Sequence, residues 1–555
     1  MGRRILVGAA WPYANGDLHL GHIAGAYLPA DIFARFHRLL GDEVLMISGS
    51  DCHGTPVAIR AEREGKSPRE IAEFYHHRFL DVWKKLDISF DLFTTTMTEN
   101  HARTVKDIIL KLSEKGLIYR DEMLSVYCPS CGRFLPDRYI RGVCPFCGNP
   151  EAWGDQCEEC GRSFAPQDLR ELRCGVCGGA PEFRKTEHLF FRLSALSERL
   201  REWISRQERW RPNVRSLTHR YLSEGLRDRA ITRDIEWGIE VPFPGFERKR
   251  VYVWFEAVIG YLSATKEWAQ RTGEPERWRD FWSGEAESYY FVGKDNIPFH
   301  TIMWPAILMA CGDLNLPTDV PANEFLTLEG RKISTSRGWA VWISDMLERY
   351  DSDAIRFCLA ANMPETGDAD FSFREFVRRN NDELVATYGN LAHRALTFVQ
   401  RYFDGRVPEP GELGGESREL LRLAERTFKL AGESLEACRF REALRHIMFL
   451  AQEGNRYMER RAPWKAVKED RRAAAEALFA ILGLLSALRT LFYPFLPRSS
   501  ERLSELLGFK KPVKETGWKL ELPSPGTPLP PPKPLFRKLE EVPSDLYPKA
   551  DGRES

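Results

Sequence analysis

The sequence predicts an α/β protein: a doubly wound parallel sheet that is interrupted by a cysteine-rich insertion and followed by an α-helical domain. Two buried strands flank a long helical stretch near the N-terminus, which indicates a βαβ unit. Eight of the twelve cysteines lie between Cys128 and Cys177. Strand patterns stop at about Phe371, and apolar residues then recur at helical spacing. At 555 residues, the chain is long enough for several domains, each with its own core.

The α/β domain begins with a buried strand from Arg3 to Ala10, followed by a loop rich in Pro, Asn and Gly and a helix from about His19 to Leu40. The segment EVLMIS is the second strand and ends in GSDCHG. After the insertion, VYVWFEAVIGY and SYYFVGKDNIPFHTIMWPAIL again show strand-to-helix transitions, so the same domain resumes. The loops after these strands lie at the carboxyl ends of a parallel sheet, where open α/β sheets bind ligands.

The insertion contains four Cys-x-x-Cys pairs, each in a turn that a glycine closes: Cys128/Cys131, Cys144/Cys147, Cys157/Cys160 and Cys174/Cys177. Thiols at this spacing in a reducing compartment are ligands for metal ions more readily than disulfide partners. A redox motif fits one such pair but not four. Four thiolates complete the shell of a Zn²⁺ ion, so eight predict two structural sites with no position for water. The spacing alone leaves adjacent, nested and crossed pairings open.

The segments ELVATYGNLAHRALTFVQRYF and AAEALFAILGLLSALRTLFYPFL are typical of amphipathic and buried helices. The tail SPGTPLPPPKPLF is too rich in proline for helix or strand, and we expect it to run extended over the surface. The predicted divisions are residues 1–116 and 246–325 for the two halves of the α/β domain, 117–245 for the insertion, 326–370 for a loop and contact region, 371–510 for the helical domain and 511–555 for the tail.

The charges are balanced, with 80 Lys and Arg residues against 80 Asp and Glu residues. Contact with a nucleic acid therefore requires a local basic patch. The N-terminus lacks the long apolar core and the cleavage site of a signal peptide, and no 18-residue apolar run follows. We therefore expect a cytoplasmic protein with no membrane partner.

Two histidines mark the start of the first long helix, in DLHLGHIAGAYLPADIFARF. His19 and His22 face the same side of the first turn, where free amides and the helix dipole favour a polyphosphate. Gly21 between them allows a base or a phosphate to approach the backbone. Taken alone, two histidines at a helix start are more often caps or surface residues.

A resemblance favours the functional interpretation. HLGH is similar to the HIGH signature of class I aminoacyl-tRNA synthetases, and KISTS, from Lys332 to Ser336, is similar to their KMSKS loop. AAWPYANGDLHLGH, GSDCHGTP, the cysteine insertion, DIEWGIEVP, VYVWFEAVIGY, FVGKDNIPFHTIMWP, GRKISTSRG, NLAHR and APW resemble the methionyl-tRNA synthetase family in the same order, over roughly residues 3 to 500. The resemblance implies a Rossmann-type catalytic domain, a zinc-knuckle connective insertion and an anticodon-binding helical bundle. It also implies that L-methionine reacts with ATP, with Mg²⁺ on the phosphates, to give methionyl adenylate, and that the methionyl group then passes to the terminal adenosine of tRNA(Met).

The resemblance also implies the roles of individual residues. The catalytic residues are His19, His22, Lys332, Arg331 and Arg337. The methionine pocket consists of Ala10, Trp11, Tyr13, Asp51, Trp254, Ala257, Tyr261, His300 and Trp304. ATP contacts are His19, Gly21, His22, Gly293, Asp295, Lys332, Ser334 and Thr335, and the anticodon readers are Asn390, Arg394 and Trp464. For zinc it implies nesting: Cys144, Cys147, Cys157 and Cys160 hold one ion, and Cys128, Cys131, Cys174 and Cys177 hold the other.

The chemistry of these residues agrees with their implied roles. A thioether fits a cage of aromatic side chains, with hydroxyl or N–H groups from Tyr13, Tyr261 and His300 near its sulfur. Asp51 follows a strand and can hold the substrate ammonium. A tryptophan after Ala-Pro, such as Trp464 in a segment rich in arginine, can offer a stacking face to an unpaired base.

Two positions depart from the family pattern. Thr335 replaces the second lysine of the KMSKS-like loop, which removes one positive charge near the triphosphate, and Val258 stands where the family often has proline. Because of Thr335, a second hypothesis stays open, that the chain is a tRNA-binding paralogue without catalytic activity. Another class I synthetase for leucine, isoleucine or valine would carry a large editing insertion, and a cysteine-specific relative would need a zinc open to substrate. We expect a monomer, because no dimerising extension of ~100 residues follows the helical domain.

Overall fold

The computed structural model describes residues 2–154, 157, 159–160, 162, 164–335, 338–540, 542 and 544–547. Within them, the central sheet has five strands: β1 (Arg4–Ala9), β2 (Glu43–Ser50), β3 (Leu92–Thr95), β4 (Glu287–Gly293) and β5 (Ala322–Asn323). All neighbouring strands are parallel, in the order β5-β4-β1-β2-β3. The winding reverses between β1 and β4, and this switch point opens a crevice at the carboxyl ends of the two strands.

The helix after β1 confirms the predicted span and adds a π turn that the sequence pattern does not show. An α-helical turn, Leu20–His22, continues into a π-helical turn, Ile23–Tyr27, and then into a regular α-helix, Leu28–Leu40. Gly41 ends the helix in the left-handed region, with φ at 87°. Single π turns inside α-helices are frequent at functional sites.

Further helices cover the sheet. They are Thr55–Glu64, Pro68–Leu86, Glu99–Glu114, Val253–Arg271 and Trp304–Cys311. A second π turn, Phe299–Met303, precedes the last of them. Their apolar faces pack against β-strand residues that are fully buried, such as Val7 and Phe291.

The insertion is built on a long antiparallel pair, Ile118–Cys128 with Glu182–Phe191. At the far end, Ile140–Val143, Ala152–Trp153 and Arg170–Cys174 form a small sheet of three strands. The remaining elements of the insertion and its return to the catalytic domain are the strands Arg133–Phe134, Arg229–Ala230, Thr232–Arg233 and Arg250–Val251 and the helices Ser197–Ser205 and Pro212–Ser223.

A three-stranded sheet, Leu326–Leu328 with Arg331–Lys332 and Ala369–Phe371, follows β5 and carries the KISTS segment. Two helices, Ile343–Arg349 and Ser352–Ala361, lead to the helical domain. That domain consists of the helices Phe373–Arg378, Asn390–Tyr402, Gly415–Glu436, Phe440–Arg461, Pro463–Glu469, Arg471–Phe492 and Pro497–Leu506, with a long π-helical stretch, Arg379–Gly389, after the first.

The helix Arg471–Phe492 forms the core of the bundle. Its length and composition would allow it to cross a membrane, but 94% of its apolar window is buried inside the protein. Burial against neighbouring helices explains the apolar composition of this helix.

The tail is extended, as the proline content predicts, but several of its side chains are anchored in the core. Val513, Leu535 and Phe536 are buried. The indole N–H of Trp518 donates to the carbonyl of Phe428 at 3.0 Å, and its backbone N–H donates to the carbonyl of Leu39 at 2.9 Å. The tail therefore connects the bundle with the catalytic domain.

Candidate active site

A pocket of about 420 Å³, including its open mouth, lies at the switch point of the sheet. Its lining contains eight of the nine residues proposed for methionine: Ala10, Trp11, Tyr13, Asp51, Trp254, Ala257, Tyr261 and His300. Three further residues line it: Val258, Asn296 and Phe299. Sequence reasoning connected Val258 with the pocket wall only as a departure from the family pattern, and it missed Asn296 and Phe299. Residues 254, 257, 258 and 261 share one helix face, which agrees with the place of Val258 in the wall.

The ninth residue, Trp304, is not part of the lining. Its side chain is fully buried and packs edge-on against Trp282, with ring centroids 5.7 Å apart.

Trp11 reaches the pocket wall because two glycines make room for it. A Cβ atom added at Gly49 or at Gly260 would lie 2.2 Å or 2.7 Å from the Trp11 ring.

Asp51 supplies the carboxylate of the pocket. Its side chain is 4% exposed, and Oδ1 is buried without a hydrogen-bond partner among the described residues. Backbone bonds fix its position, because its N–H donates to the carbonyl of Pro12 and its carbonyl accepts from Ala14, both at 2.8 Å. Burial raises the pKa of Asp51, and the nearby Glu256 carboxylate raises it further. A cationic group in the pocket would satisfy Oδ1 and favour the ionised form.

The tautomer of His300 follows from its two partners. Nδ1 lies 2.9 Å from the carbonyl of Asn296, which can only accept, so Nδ1 carries the proton. Nε2 then accepts the hydroxyl hydrogen of Tyr261 at 2.9 Å. Burial lowers the pKa of His300 to about 4, so the ring is neutral at physiological pH. The pocket floor is therefore polar but uncharged.

His19 and His22 form a stacked pair at the start of the helix, with ring centroids 3.7 Å apart. Nδ1 of His19 accepts the N–H of Gly21, and Nδ1 of His22 accepts the N–H of His19, both at 3.1 Å. Burial lowers the pKa of both rings, that of His22 to about 4. In the neutral rings the remaining proton is on Nε2, so each histidine offers one fixed N–H donor.

The KISTS loop packs against this helix start. A Cβ atom at Gly21 would lie 3.0 Å from the His19 ring and 3.3 Å from Cδ1 of Ile333, so a larger residue would force these neighbours to shift. Lys332 is exposed, and its Nζ lies 5.2 Å from the ring centroid of Phe325. The backbone of Ser334 pairs with that of Trp339 at 2.9 Å and closes the loop.

The other residues proposed for ATP lie around this loop. Burial raises the pKa of Asp295, whereas the positive charges of Lys332 and Lys294 oppose this rise. The space beside Gly293 is open. Thr335 is exposed, and the guanidinium of Arg331 lies 4.8 Å over the Trp339 ring. The predicted catalytic residue Arg337 lies outside the described residues.

The cysteines assemble in the nested combination. Cys128, Cys131, Cys174 and Cys177 form one cluster, and Cys144, Cys147, Cys157 and Cys160 form the other. Sulfur atoms lie 3.5 Å and 3.8 Å apart in the first cluster and 3.6 Å and 3.8 Å apart in the second. Four sulfurs at 2.3 Å from a tetrahedral Zn²⁺ would be about 3.8 Å apart, so both clusters fit this ion. The insertion reaches the catalytic domain through Arg133, which pairs with Glu62 at 2.9 Å.

The three proposed anticodon readers lie on two adjoining helices. Asn390 and Arg394 are one turn apart, and the Arg394 guanidinium lies 5.4 Å over the Trp464 ring. Phe398, one turn further along the same helix, also stacks on Trp464, with ring centroids 5.7 Å apart. Ala462, with φ at 38°, makes the sharp turn that presents Trp464. Asn390 is exposed, and the rings of Trp464 and Phe398 are partly accessible.

Comparisons with known proteins agree with this geometry. Residues 5–396 match the family model "tRNA synthetases class I (M)", and residues 407–550 match "Anticodon binding domain of methionyl tRNA ligase". The methionine–tRNA ligase of Dehalococcoides mccartyi is 57% identical over 541 residues, which cover 98% of each chain. The chain belongs to the methionyl-tRNA synthetase family. The ligase of Roseiflexus castenholzii is 51% identical, with 97% of each chain covered.

The fold agrees as well. The crystal structure of Mycobacterium tuberculosis methionyl-tRNA synthetase bound by methionyl-adenylate superposes with a TM-score of 0.81 at 27% identity, covering 97% of this chain and 100% of that one. The predicted family, the fold class and the enzyme class, an ATP-dependent methionine–tRNA ligase, are therefore confirmed. The alternatives, a synthetase for another apolar amino acid or a paralogue without catalysis, find no support among these relatives.

Proposed function

We propose that the pocket between β1 and β4 binds L-methionine, with the ammonium on Asp51 and the thioether among the aromatic rings. The observation that carries this proposal is the buried, unpartnered Oδ1 of Asp51 beside an otherwise uncharged cage. A buried carboxylate oxygen without a partner is costly, and an ammonium group offsets that cost. The neutral Tyr261–His300 pair presents polar groups to a sulfur without attracting a second charge.

ATP binds, in this proposal, across the helix start that His19 and His22 form. Their Nε2–H groups and the free amides of the first turn are donors for phosphate oxygens. Lys332 supplies positive charge from the loop, and Asp295 accepts a ribose hydroxyl. Mg²⁺ neutralises the triphosphate when it is bound.

The reaction requires positioning and electrostatic stabilisation more than covalent help from the protein. A methionine carboxylate oxygen attacks the α-phosphorus, and the bond to the leaving pyrophosphate breaks. Donors fixed on neutral histidines cost no reorganisation as charge develops on the phosphate. In the second step, a ribose hydroxyl of the tRNA attacks the mixed anhydride and releases AMP.

The tRNA contacts that we propose are those of Asn390, Arg394 and Trp464 with the anticodon. A partly accessible tryptophan beside a guanidinium provides a stacking surface for a splayed base. We further propose that the two Cys₄ clusters hold structural zinc, that the protein is a monomer, and that it acts in the cytoplasm, where thiols stay reduced. The domain divisions given above are part of this proposal.

The test is aminoacylation of tRNA(Met) with labelled methionine by the purified protein. We expect methionyl-tRNA to form with L-methionine and not with leucine or valine. A tRNA(Met) with a changed anticodon should react about 5- to 150-fold more slowly, since base stacking contributes ~1–3 kcal/mol. If the charging rate does not depend on the anticodon, Asn390, Arg394 and Trp464 do not read it.

A further inference from the structure

The helix that carries His19 and His22 is held by the helical bundle at three points along its length. The first point is at its π turn. The amide of Asn323, which is 1% exposed, donates to the carbonyl of Ala24 at 2.9 Å. Arg211 donates to Oδ1 of the same Asn323 and, through its other terminal nitrogen, to the carbonyl of Cys438 in the bundle at 2.6 Å.

The second point lies in the middle of the helix. Asp31 pairs with Arg356 at 2.7 Å, and both side chains are fully buried. Arg356 also donates to the carbonyls of Phe495 at 2.7 Å and Pro494 at 2.9 Å, at the end of the core helix of the bundle. Burial alone would raise the pKa of Asp31, but Arg35 and Arg356 hold it at about 2. The ion pair therefore persists at physiological pH.

The third point is at the end of the helix. Arg3 pairs with Asp42, just after the helix, at 3.2 Å and with Glu436 of the bundle at 2.7 Å. The backbone N–H of Trp518 donates to the carbonyl of Leu39 at 2.9 Å. The three points span the helix from residue 24 to residue 42, and the helical part from 24 to 39 alone is about 22 Å long at 1.5 Å per residue.

We propose that Arg211, Arg356 and Glu436 are positioning residues, which hold the catalytic helix and the bundle in one register so that a tRNA bound by its anticodon presents its 3′ end to the site. The inference rests on the proposed anticodon surface. When two rigidly linked sites hold the same ligand, binding at the first site raises the effective concentration of the ligand at the second. A looser link lowers this effective concentration without changing either site.

The experiment compares three readouts in each variant: methionine-dependent exchange of pyrophosphate into ATP, the Kd of a fluorescent anticodon stem-loop of tRNA(Met), and kcat/KM for charging of whole tRNA(Met). Arg211→Met removes the first link. Glu436→Gln weakens the third link, the ion pair with Arg3. Because an acidic side chain repels RNA phosphates, a lost RNA contact cannot explain a defect in this variant. Arg489→Met is the matched control, because Arg489 is fully buried and its hydrogen bonds to described residues stay within the bundle and the tail, at Ser486, Ser504 and Glu521.

We expect Arg211→Met to lower whole-tRNA kcat/KM about tenfold and Glu436→Gln to lower it severalfold, with exchange and stem-loop affinity within threefold of wild type. Arg489→Met should leave all three readouts within threefold below its melting temperature. An equal fall in exchange would mean that Arg211 supports only the catalytic site, and weaker stem-loop binding would mean that it supports only the bundle. Either outcome, or unchanged tRNA charging, overturns the proposal. Failure of the wild-type protein to bind the stem-loop would instead refute the anticodon surface on which this proposal rests.

Discussion

Asp51→Asn tests the ammonium site directly. The replacement keeps the shape of a side chain that is 4% exposed and removes its charge. Loss of one partner of a buried, hydrogen-bonded charge pair costs about 2–5 kcal/mol. Since 1.4 kcal/mol corresponds to a factor of ten, we expect the Kd for L-methionine to rise by a factor of roughly 30 to several thousand.

The effect should depend on the ammonium group and on pH. Burial and Glu256 raise the pKa of Asp51, so the carboxylate takes up a proton as pH falls through that raised pKa, and methionine affinity falls with it. The stability of the ligand-free protein changes with pH in the opposite direction. The contribution of Asp51 to the free energy of unfolding is fully present below the pKa of Asp51 in the unfolded chain, and it is lost as pH rises through the raised pKa of the folded protein. Asp51→Asn should remove the part of both pH dependences that is due to this group.

Calorimetric titration with L-methionine and with 4-(methylthio)butanoate, which lacks the ammonium group, measures the effect. Asp319→Asn is the matched control, because Asp319 is a buried carboxylate beside the opposite end of β4, next to Ser288 and Tyr289. We expect Asp51→Asn to weaken methionine binding only, with the KM for ATP unchanged and the control near wild type. Equal losses for both ligands would exclude Asp51 as the partner of the ammonium group, since the defect would then lie in the thioether cage.

Three other predictions concern the loop, the zinc clusters and the bundle. Lys332→Ala should slow adenylate formation about 10²-fold in single-turnover assays, the usual loss for one transition-state donor, and Thr335→Lys should be equal or faster; a requirement for Thr335→Lys before any activity appears would contradict a working loop. Cys128→Ser and Cys174→Ser, singly and together, should each lose the same one zinc by metal analysis, because both residues belong to one cluster; loss of two in the double variant would exclude nesting. Trp464→Ala should lower tRNA charging by about 5- to 150-fold, from ~1–3 kcal/mol of lost stacking, and leave pyrophosphate exchange unchanged; a fall in exchange would assign Trp464 to the fold instead.

Much of the site could be predicted because it lies in contiguous motifs. The pocket residues from Ala10 to Tyr13 and Asp51 follow β1 and β2, and the topology of a parallel sheet places such loops together. The spacing of the cysteines predicts two metal sites, but only the resemblance indicated which pairs combine. The structure brings together the nested pairs, since the outer pairs meet at the base of the long hairpin.

Other features depend on tertiary contacts that a local pattern does not encode. No local sequence pattern predicts the π turn at Ile23–Tyr27. The amide of Asn323, about 300 residues away, donates to the carbonyl of Ala24 in this turn. The proline-rich tail was expected on the surface, yet Phe536 packs against Tyr388 of the bundle, with ring centroids 5.6 Å apart. Trp304 was placed in the pocket from its motif, but the turn of the helix that follows the π turn directs it to Trp282.

In the first step of the proposed reaction, this chain activates methionine with ATP. The most direct measurement is exchange of labelled pyrophosphate into ATP by the purified wild-type protein, with each amino acid tested separately and no tRNA present. We expect rapid exchange with L-methionine and none without an amino acid. Exchange with leucine, isoleucine and valine should be at least 10²-fold slower, because a missing or misplaced group in an apolar pocket accounts for about that ratio. Exchange that does not depend on methionine, or that another amino acid supports better, would contradict the proposed reaction.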